Sequence, residues 1–200
     1  MKIAILGGSF DPPHLGHLAI ALQVKELVNI DEVWLMPAYH HPFNRKLSPV
    51  ETRYTMTSFL ETDNIRVSDY EIKHNPTSYT IDTLNGLKQQ RPDDEFFWIT
   101  GSDQLAQFQK YKNWKDILAK HNLIIFPREW MLDQLEAQVK EKLLLKTIPE
   151  NVIVLQTKEL ILTNISSTKI RERVKSNLPI HYFVRNKVAA YISANKLYDK

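Results

Sequence analysis

The sequence predicts a doubly wound α/β protein, with a mostly parallel sheet and a helical C-terminal end. Two observations carry this. Short apolar runs at Lys2–Leu6, Glu32–Met36, Glu95–Thr100, Asn122–Phe126 and Asn151–Leu155 alternate with segments of helical spacing. A glycine pair, Gly7-Gly8, closes the first run just before a helical pattern opens, as at a strand-to-helix crossing in an open parallel sheet. Neither repeat, low-complexity tract nor linker interrupts the pattern, so one domain over residues 1–200 is expected.

Composition bounds the function. The 200 residues suffice for one core, and 43% hydrophobic with 24% charged residues suits a soluble globular chain. The absence of cysteine excludes disulfides, a thiolate nucleophile and cysteine metal sites. The first apolar run is too short for a signal-peptide core, and none has the length of a membrane span. A net charge of +3 from dispersed residues, with Lys140, Lys142 and Lys146 on one solvated helix face, does not make a nucleic-acid footprint. A cytoplasmic enzyme or binding protein for a small phosphorylated ligand is the expectation.

The elements follow in order. Lys2–Leu6 reads as a buried strand, and Leu18 to Val28 as the first helix, beginning after Pro12-Pro13. Glu32–Met36 reads as the second strand, ended by Pro37. A helix is expected from about Pro49 to Leu60, then a short strand at Ile65–Ser68 and another at Tyr70–Lys73. Ser78 or Thr77 is expected to cap a helix running through Leu84 and Leu87. Glu95–Thr100 is a core strand, and Gly101-Ser102-Asp103 opens the next helix. Asn122–Phe126 and Asn151–Leu155 are further strands with a helix from Glu129 to Leu145 between them. Ile161–Ile165 reads as a last extended run. A helix then starts at Ser166-Ser167-Thr168, and another near Tyr182 or Val184 runs to Asn195.

Chemistry concentrates at the crossing. Gly7 and Gly8 let an anion approach main-chain amides that a Cβ would shield. The amides of Ser9 and Phe10 line the same turn. His14 and His17, three apart, share one face at a helix N-terminus, whose positive end disfavours an imidazolium until negative charge arrives. Zinc is a rival use of paired histidines, but neither cysteine nor a third histidine stands at a matching spacing. Ser167 and Thr168 at a second helix start, with Arg171 one turn on, form another potential anion site. Asp103, after a core strand, can accept from ribose hydroxyls. Tyr79-Thr80 and Tyr111-Lys112 can hold a flat heterocycle through aromatic surface and amides.

The string Gly-Ser-Phe-Asp-Pro-Pro-His-Leu-Gly-His at 8–17 resembles the nucleotidyltransferase signature with its His-x-Gly-His element. Ser78-Tyr79-Thr80, Gly101-Ser102-Asp103, Ile165-Ser-Ser-Thr-Lys-Ile-Arg171 and the tail from Val188 to Tyr198 extend the likeness over nearly the whole chain. In that order they resemble bacterial nicotinate mononucleotide adenylyltransferases. The resemblance implies a Rossmann-like nucleotidyltransferase fold and transfer of AMP from ATP to nicotinate mononucleotide, with magnesium delivered on ATP and no nucleic acid or membrane partner. It implies His14 and His17 as catalytic residues. Gly7, Gly8, Ser9, Phe10, Gly16, Ile165, Ser167, Thr168 and Arg171 would hold ATP. Ser9, Tyr79, Thr80, Asp103, Tyr111 and Lys112 would hold the acceptor, in a pocket walled by donors that favours the acid over the amide. Tyr111 stands where the family usually has tryptophan. The basic loop reads His40-His41-Pro42-Phe43-Asn44-Arg45-Lys46, which makes Arg45 and Lys46 candidates for phosphate contact. A phosphopantetheine or nicotinamide nucleotide acceptor, or a nucleotide sensor without turnover, are the other readings.

Overall fold

The computed structural model describes residues 1–40, 47–74, 77–128 and 132–199. Six parallel strands form one sheet: β1 (Lys2–Gly8), β2 (Glu32–Pro37), β3 (Ile65–Val67), β4 (Glu95–Gly101), β5 (Asn122–Phe126) and β6 (Val152–Val154), in the order β3-β2-β1-β4-β5-β6. The strand order reverses between β1 and β4. In a doubly wound sheet that is where a crevice opens beyond the carboxyl ends of the strands.

Alternation along β1 builds two core layers. Ala4 and Leu6 pack with Leu18, Ala21 and Val24 of α1 (Leu15–Val28) on one face. Ile3 and Ile5 pack on the other with Trp98, with Leu84 and Leu87 of α2 (Thr80–Gln90), and with Ile117 of α3 (Trp114–Lys120). A third cluster joins Met56 of α4 (Val50–Ser58) to Ile170 of α5 (Ser167–Lys175) and Val188 and Ile192 of α6 (Asn186–Ala194). This cluster fastens the C-terminal helices beside the crevice. No helix among the described residues is long and apolar enough to cross a membrane.

Several elements differ from the sequence reading. Tyr70–His74 is a helix rather than a strand. Ser68 Oγ accepts from the Tyr70 N–H at 3.3 Å and Glu71 lies three residues beyond it, a helix-start pattern that outweighs the Tyr70/Ile72 alternation. Ile161–Ile165 joins no strand. The Gln23 side chain takes the ladder's place, accepting from the Ile161 N–H at 2.6 Å and donating to its carbonyl at 3.1 Å. Tyr79 occupies the N-cap of α2 without a side-chain cap, because Ser78 Oγ accepts from the Tyr39 N–H at 2.9 Å instead. The helix expected over 129–145 is a 3-10 turn at Leu132–Gln134 followed by a short helix at Leu135–Lys142, while 129–131 lie outside the described residues. The last helix starts at Asn186, later than expected. Along α1, Leu22 is 44% exposed, while Leu18, Ile20, Ala21 and Val24 carry the buried face.

Candidate active site

A cleft of about 670 Å³ opens at the switch point, and a pocket of about 270 Å³ adjoins it. The cleft is lined by Gly7, Gly8, Ser9, Phe10, His14 and His17 from the β1–α1 crossing, Asp103 and Tyr111 beyond β4, and Ser167, Thr168 and Arg171 of α5. The pocket is lined by Tyr79, Thr80 and Lys112, and shares Gly7, Gly8, Trp98 and Tyr111 with the cleft. The β1–α1 crossing and the start of α5, some 150 residues apart in sequence, thus line one concavity.

Hydrogen bonds lock the meeting. Ser167 Oγ donates to the Pro12 carbonyl at 2.8 Å, and Arg171 Nη1 donates to the Asp11 carbonyl at 2.6 Å while its Nη2 reaches Thr168 Oγ1. The buried Asp11 carboxylate accepts from Tyr198 OH at 2.5 Å and from the Ser48 N–H at 3.1 Å. Burial and the Asp11 charge push the Tyr198 phenol well above its ordinary range, so it stays a donor. Ser166 caps α5, its Oγ accepting from the Lys169 N–H. The amides at the starts of α1 and α5, with Arg128 and Arg171, make the cleft attractive to anions.

The histidine rings stack with centroids 3.7 Å apart. The His14 N–H donates to His17 Nδ1 at 3.1 Å, so the neutral His17 ring carries its proton on Nε2. Burial and then the Arg128 charge push His14 down to about 3. Burial, the facing His14 and Arg128 hold His17 well below the usual imidazole range. Both rings are therefore neutral, chiefly through desolvation rather than the helix end that the sequence suggested. An anion near Arg128 opposes this and favours protonation.

Gly7 lines the cleft and carries a further constraint. A Cβ there would lie 2.4 Å from the Trp98 ring, so glycine is required for the indole to cover the strand. Gly16 contributes no surface to either cavity. It sits against His14, where a Cβ would lie 2.9 Å from Nδ1. Ile165 lines a separate groove along α5, and its carbonyl accepts from Arg128 Nη2 at 3.4 Å. Arg45 and Lys46 lie outside the described residues.

The sequence reading missed four residues. Trp98 lines both cavities. Arg128 follows the carboxyl end of β5, a position that signals a ligand-facing residue in this topology. Glu71, 2% exposed, lines the pocket and accepts from Thr83 Oγ1 at 2.8 Å, so the pocket is not walled by donors alone. Burial raises its carboxyl's pKa, while hydrogen bonds from Ser78 and Thr83 oppose the rise. Arg53 is 1% exposed, and three carbonyls take its guanidinium. Lys112 is held by Asp82 at 2.8 Å and lies over the Tyr79 ring, at the mouth of the pocket. Tyr111 stacks on Phe108 at 5.0 Å. Among the described residues no group of three or more His, Asp or Glu side chains is placed to hold a metal ion.

Residues 5–173 match the cytidylyltransferase-like family. A Clostridium botulinum (strain Okra / Type B1) protein named "Probable nicotinate-nucleotide adenylyltransferase" is 35% identical over 199 residues, covering 98% of each chain. A Shouchella clausii protein of the same name is 34% identical, covering 98% of this chain and 96% of its own. The solved nicotinic acid mononucleotide adenylyltransferase of Plasmodium falciparum, complexed with NaAD, superposes with a TM-score of 0.82 over 99% of this chain and 97% of its own. At 21% identity it speaks for the fold.

Proposed function

The chain belongs to the cytidylyltransferase-like family and, within it, to the nicotinate-nucleotide adenylyltransferases, and from that premise we propose that it transfers AMP from ATP to nicotinate mononucleotide. The products are the deamido dinucleotide and pyrophosphate. The observation that supports this best is the stacked His14/His17 pair, set between the phosphate loop and the start of α5 in one cleft at the sheet's switch point.

An oxygen of the acceptor's 5′-phosphate attacks the α-phosphorus of ATP, and the bond to the β-phosphate bridging oxygen breaks as pyrophosphate leaves. The cleft's histidines are neutral and the Ser167 hydroxyl is spent on the Pro12 carbonyl, so we assign this chain positioning and charge stabilisation. His17 donates from Nε2 to the α-phosphate as charge develops, and His14 holds the neighbouring phosphates. The amides of Ser9 and Phe10 line the same anion site. Ser167, Thr168, Arg171 and Arg128 hold the β- and γ-phosphates and the departing pyrophosphate. Asp103 takes ribose hydroxyls. The pyridine enters the pocket, against Tyr111 and the amide end of α2. Magnesium would enter as part of the MgATP substrate, which suits a cleft with no carboxylate cluster among the described residues. We place the reaction in the cytoplasm.

Lys110, Lys112 and the α2 amides present donors to an acid group. The Glu71 carboxyl already accepts from Thr83 and Ser78, so the acceptance left there for a carboxamide N–H₂ is outnumbered by the donors of Lys110, Lys112 and the α2 amides. The test is pyrophosphate release from ATP with nicotinate mononucleotide, nicotinamide mononucleotide and phosphopantetheine as acceptors. The expected kcat/KM favours the nicotinate form by about one to two decades, the cost of a mispaired donor. Equal use of the nicotinamide form, preference for phosphopantetheine, or ATP binding without turnover would each overturn the assignment.

A further inference from the structure

Arg53 lies outside the cleft, yet its side chain binds the segment that forms the cleft's anion site. The guanidinium is 1% exposed. It donates from Nη1 to the Ser9 carbonyl at 2.8 Å, from Nη2 to the Tyr39 carbonyl at 3.0 Å and from Nε to the Ser48 carbonyl at 3.0 Å. A planar fork is thus spent on three backbone segments rather than on a carboxylate. The Asp11 carboxylate, fixed by Tyr198 and Ser48, is the charge that balances it from nearby.

The consequence lies in the peptide between Ser9 and Phe10. That peptide is trans, so its C=O and N–H point to opposite sides. Arg53 draws the Ser9 carbonyl away from the cleft, which turns the Phe10 N–H toward it. The Phe10 N–H has no acceptor among the described residues, as a donor kept for a ligand would have none. Phe10 also has a φ of 48°, a left-handed conformation that a bulky residue holds only where its surroundings over-determine it. The Ser9 carbonyl bond from Arg53 and the packing of the Phe10 ring on His17 at 4.7 Å supply that constraint.

We propose that Arg53 is a positioning residue for phosphoryl transfer: it aims the Phe10 amide at the phosphate at which charge develops, and holds the Tyr39 and Ser48 backbone to the same loop. The inference rests on the proposed reaction for its kinetic consequence, but its structural part is testable without turnover. A lysine keeps the charge and loses the planar fork, so Arg53→Lys is the informative change.

The experiment titrates ¹⁵N-labelled wild type and Arg53→Lys with a non-hydrolysable ATP analogue, which carries the α-phosphate, and follows the amide resonances. The Phe10 amide should move downfield in wild type and by less than half as much in the variant, while the Thr168 amide moves alike in both. In steady-state assays with ATP and nicotinate mononucleotide, the variant's kcat should fall about ten- to hundredfold, as expected of one misaimed oxyanion-type donor. Its dissociation constant for a non-hydrolysable ATP analogue should stay within about threefold, because α5 still grips the outer phosphates. Equal Phe10 shifts in the two proteins, or none in wild type, would overturn the proposal. So would a kcat that falls only in step with the folded fraction. If Arg53→Lys does not fold, Arg53→Gln takes its place in the same comparison. A wild type inert toward nicotinate mononucleotide would instead sink the proposed reaction and leave the amide test standing.

Discussion

Replacing Gly7 with alanine tests how the strand end, the Trp98 indole and the acceptor pocket depend on each other. A Cβ at Gly7 would stand 2.4 Å from Trp98 Cζ2 and 2.5 Å from Cη2. Carbon atoms normally approach to about 3.5–4.0 Å, so the indole must retreat by about 1 Å or more. Trp98 is 7% exposed and packed in the core layer with Ile5, so the retreat over-fills that layer at a cost of about 1–3 kcal/mol. For a chain of this size that lowers the melting temperature by about 2–12 °C. The displaced indole also intrudes on the pocket it lines, so kcat/KM for the acceptor should fall further than for ATP. Calorimetry and steady-state kinetics on Gly7→Ala, Trp98→Phe and the double variant decide the matter. The smaller ring should recover part of the loss, with a coupling of about 0.5–3 kcal/mol. For the melting temperature alone, Gly8→Ala is the control, because its Cβ meets the Phe10 ring edge at 3.3 Å and leaves the indole in place. A Gly7→Ala protein that melts with wild type, or effects that simply add, would refute this reasoning.

Three further outcomes follow from the same site. His17→Ala should lower kcat by about a hundredfold or more, as loss of a transition-state donor does, and unchanged turnover in a folded variant would remove His17 from the mechanism. Arg171→Ala should weaken ATP by about 1.5–3 kcal/mol through loss of a charge-assisted contact. A fall in acceptor affinity alone would show the two substrates to be placed the wrong way round. His14 has its folded pKa depressed from 6.5 to about 3, so between those limits the unfolded chain binds a proton that the folded chain does not. Stability is therefore full above about pH 6.5 and lost as pH falls toward 3, by up to about 1.4 kcal/mol per pH unit for this residue. Glu71, with its pKa raised, acts in the opposite sense, so the comparison must be between wild type and His14→Gln. Thermal melts from pH 7 to 4 should be flatter in the variant, and parallel curves would mean that His14 is not buried neutral.

Local spacing made the sheet and the two cleft-lining helix starts legible. β1, β4 and β5 are continuous apolar runs, and the Ser166 cap with Arg171 one turn on is written in consecutive residues. Bringing the two together needed the β1/β4 reversal, which the alternating pattern does not specify. Buried charge was not legible. Nothing near Arg53 in the chain marks it as buried, since its three acceptors come from separate segments. Glu71 was hidden by reading Tyr70–Lys73 as a strand, which would have turned alternate residues outward. The helix instead sends its carboxyl under Thr83. Gly7 was singled out for phosphate approach, but the ring that requires it lies far away in sequence. Local signals thus located the stretches that line the cleft, while tertiary contacts decide how their amides and rings are held.

The central claim is direct attack of the acceptor's phosphate on the α-phosphorus, within a cleft that supplies no nucleophile. It is tested most directly with nicotinate mononucleotide carrying ¹⁸O in its phosphate and unlabelled ATP. Mass spectrometry of the products should find all the label in the dinucleotide, including its bridging oxygen, and none in the released pyrophosphate, with no AMP bound to the protein in a single turnover. Label in pyrophosphate, or an adenylylated protein that goes on to product, would contradict the account.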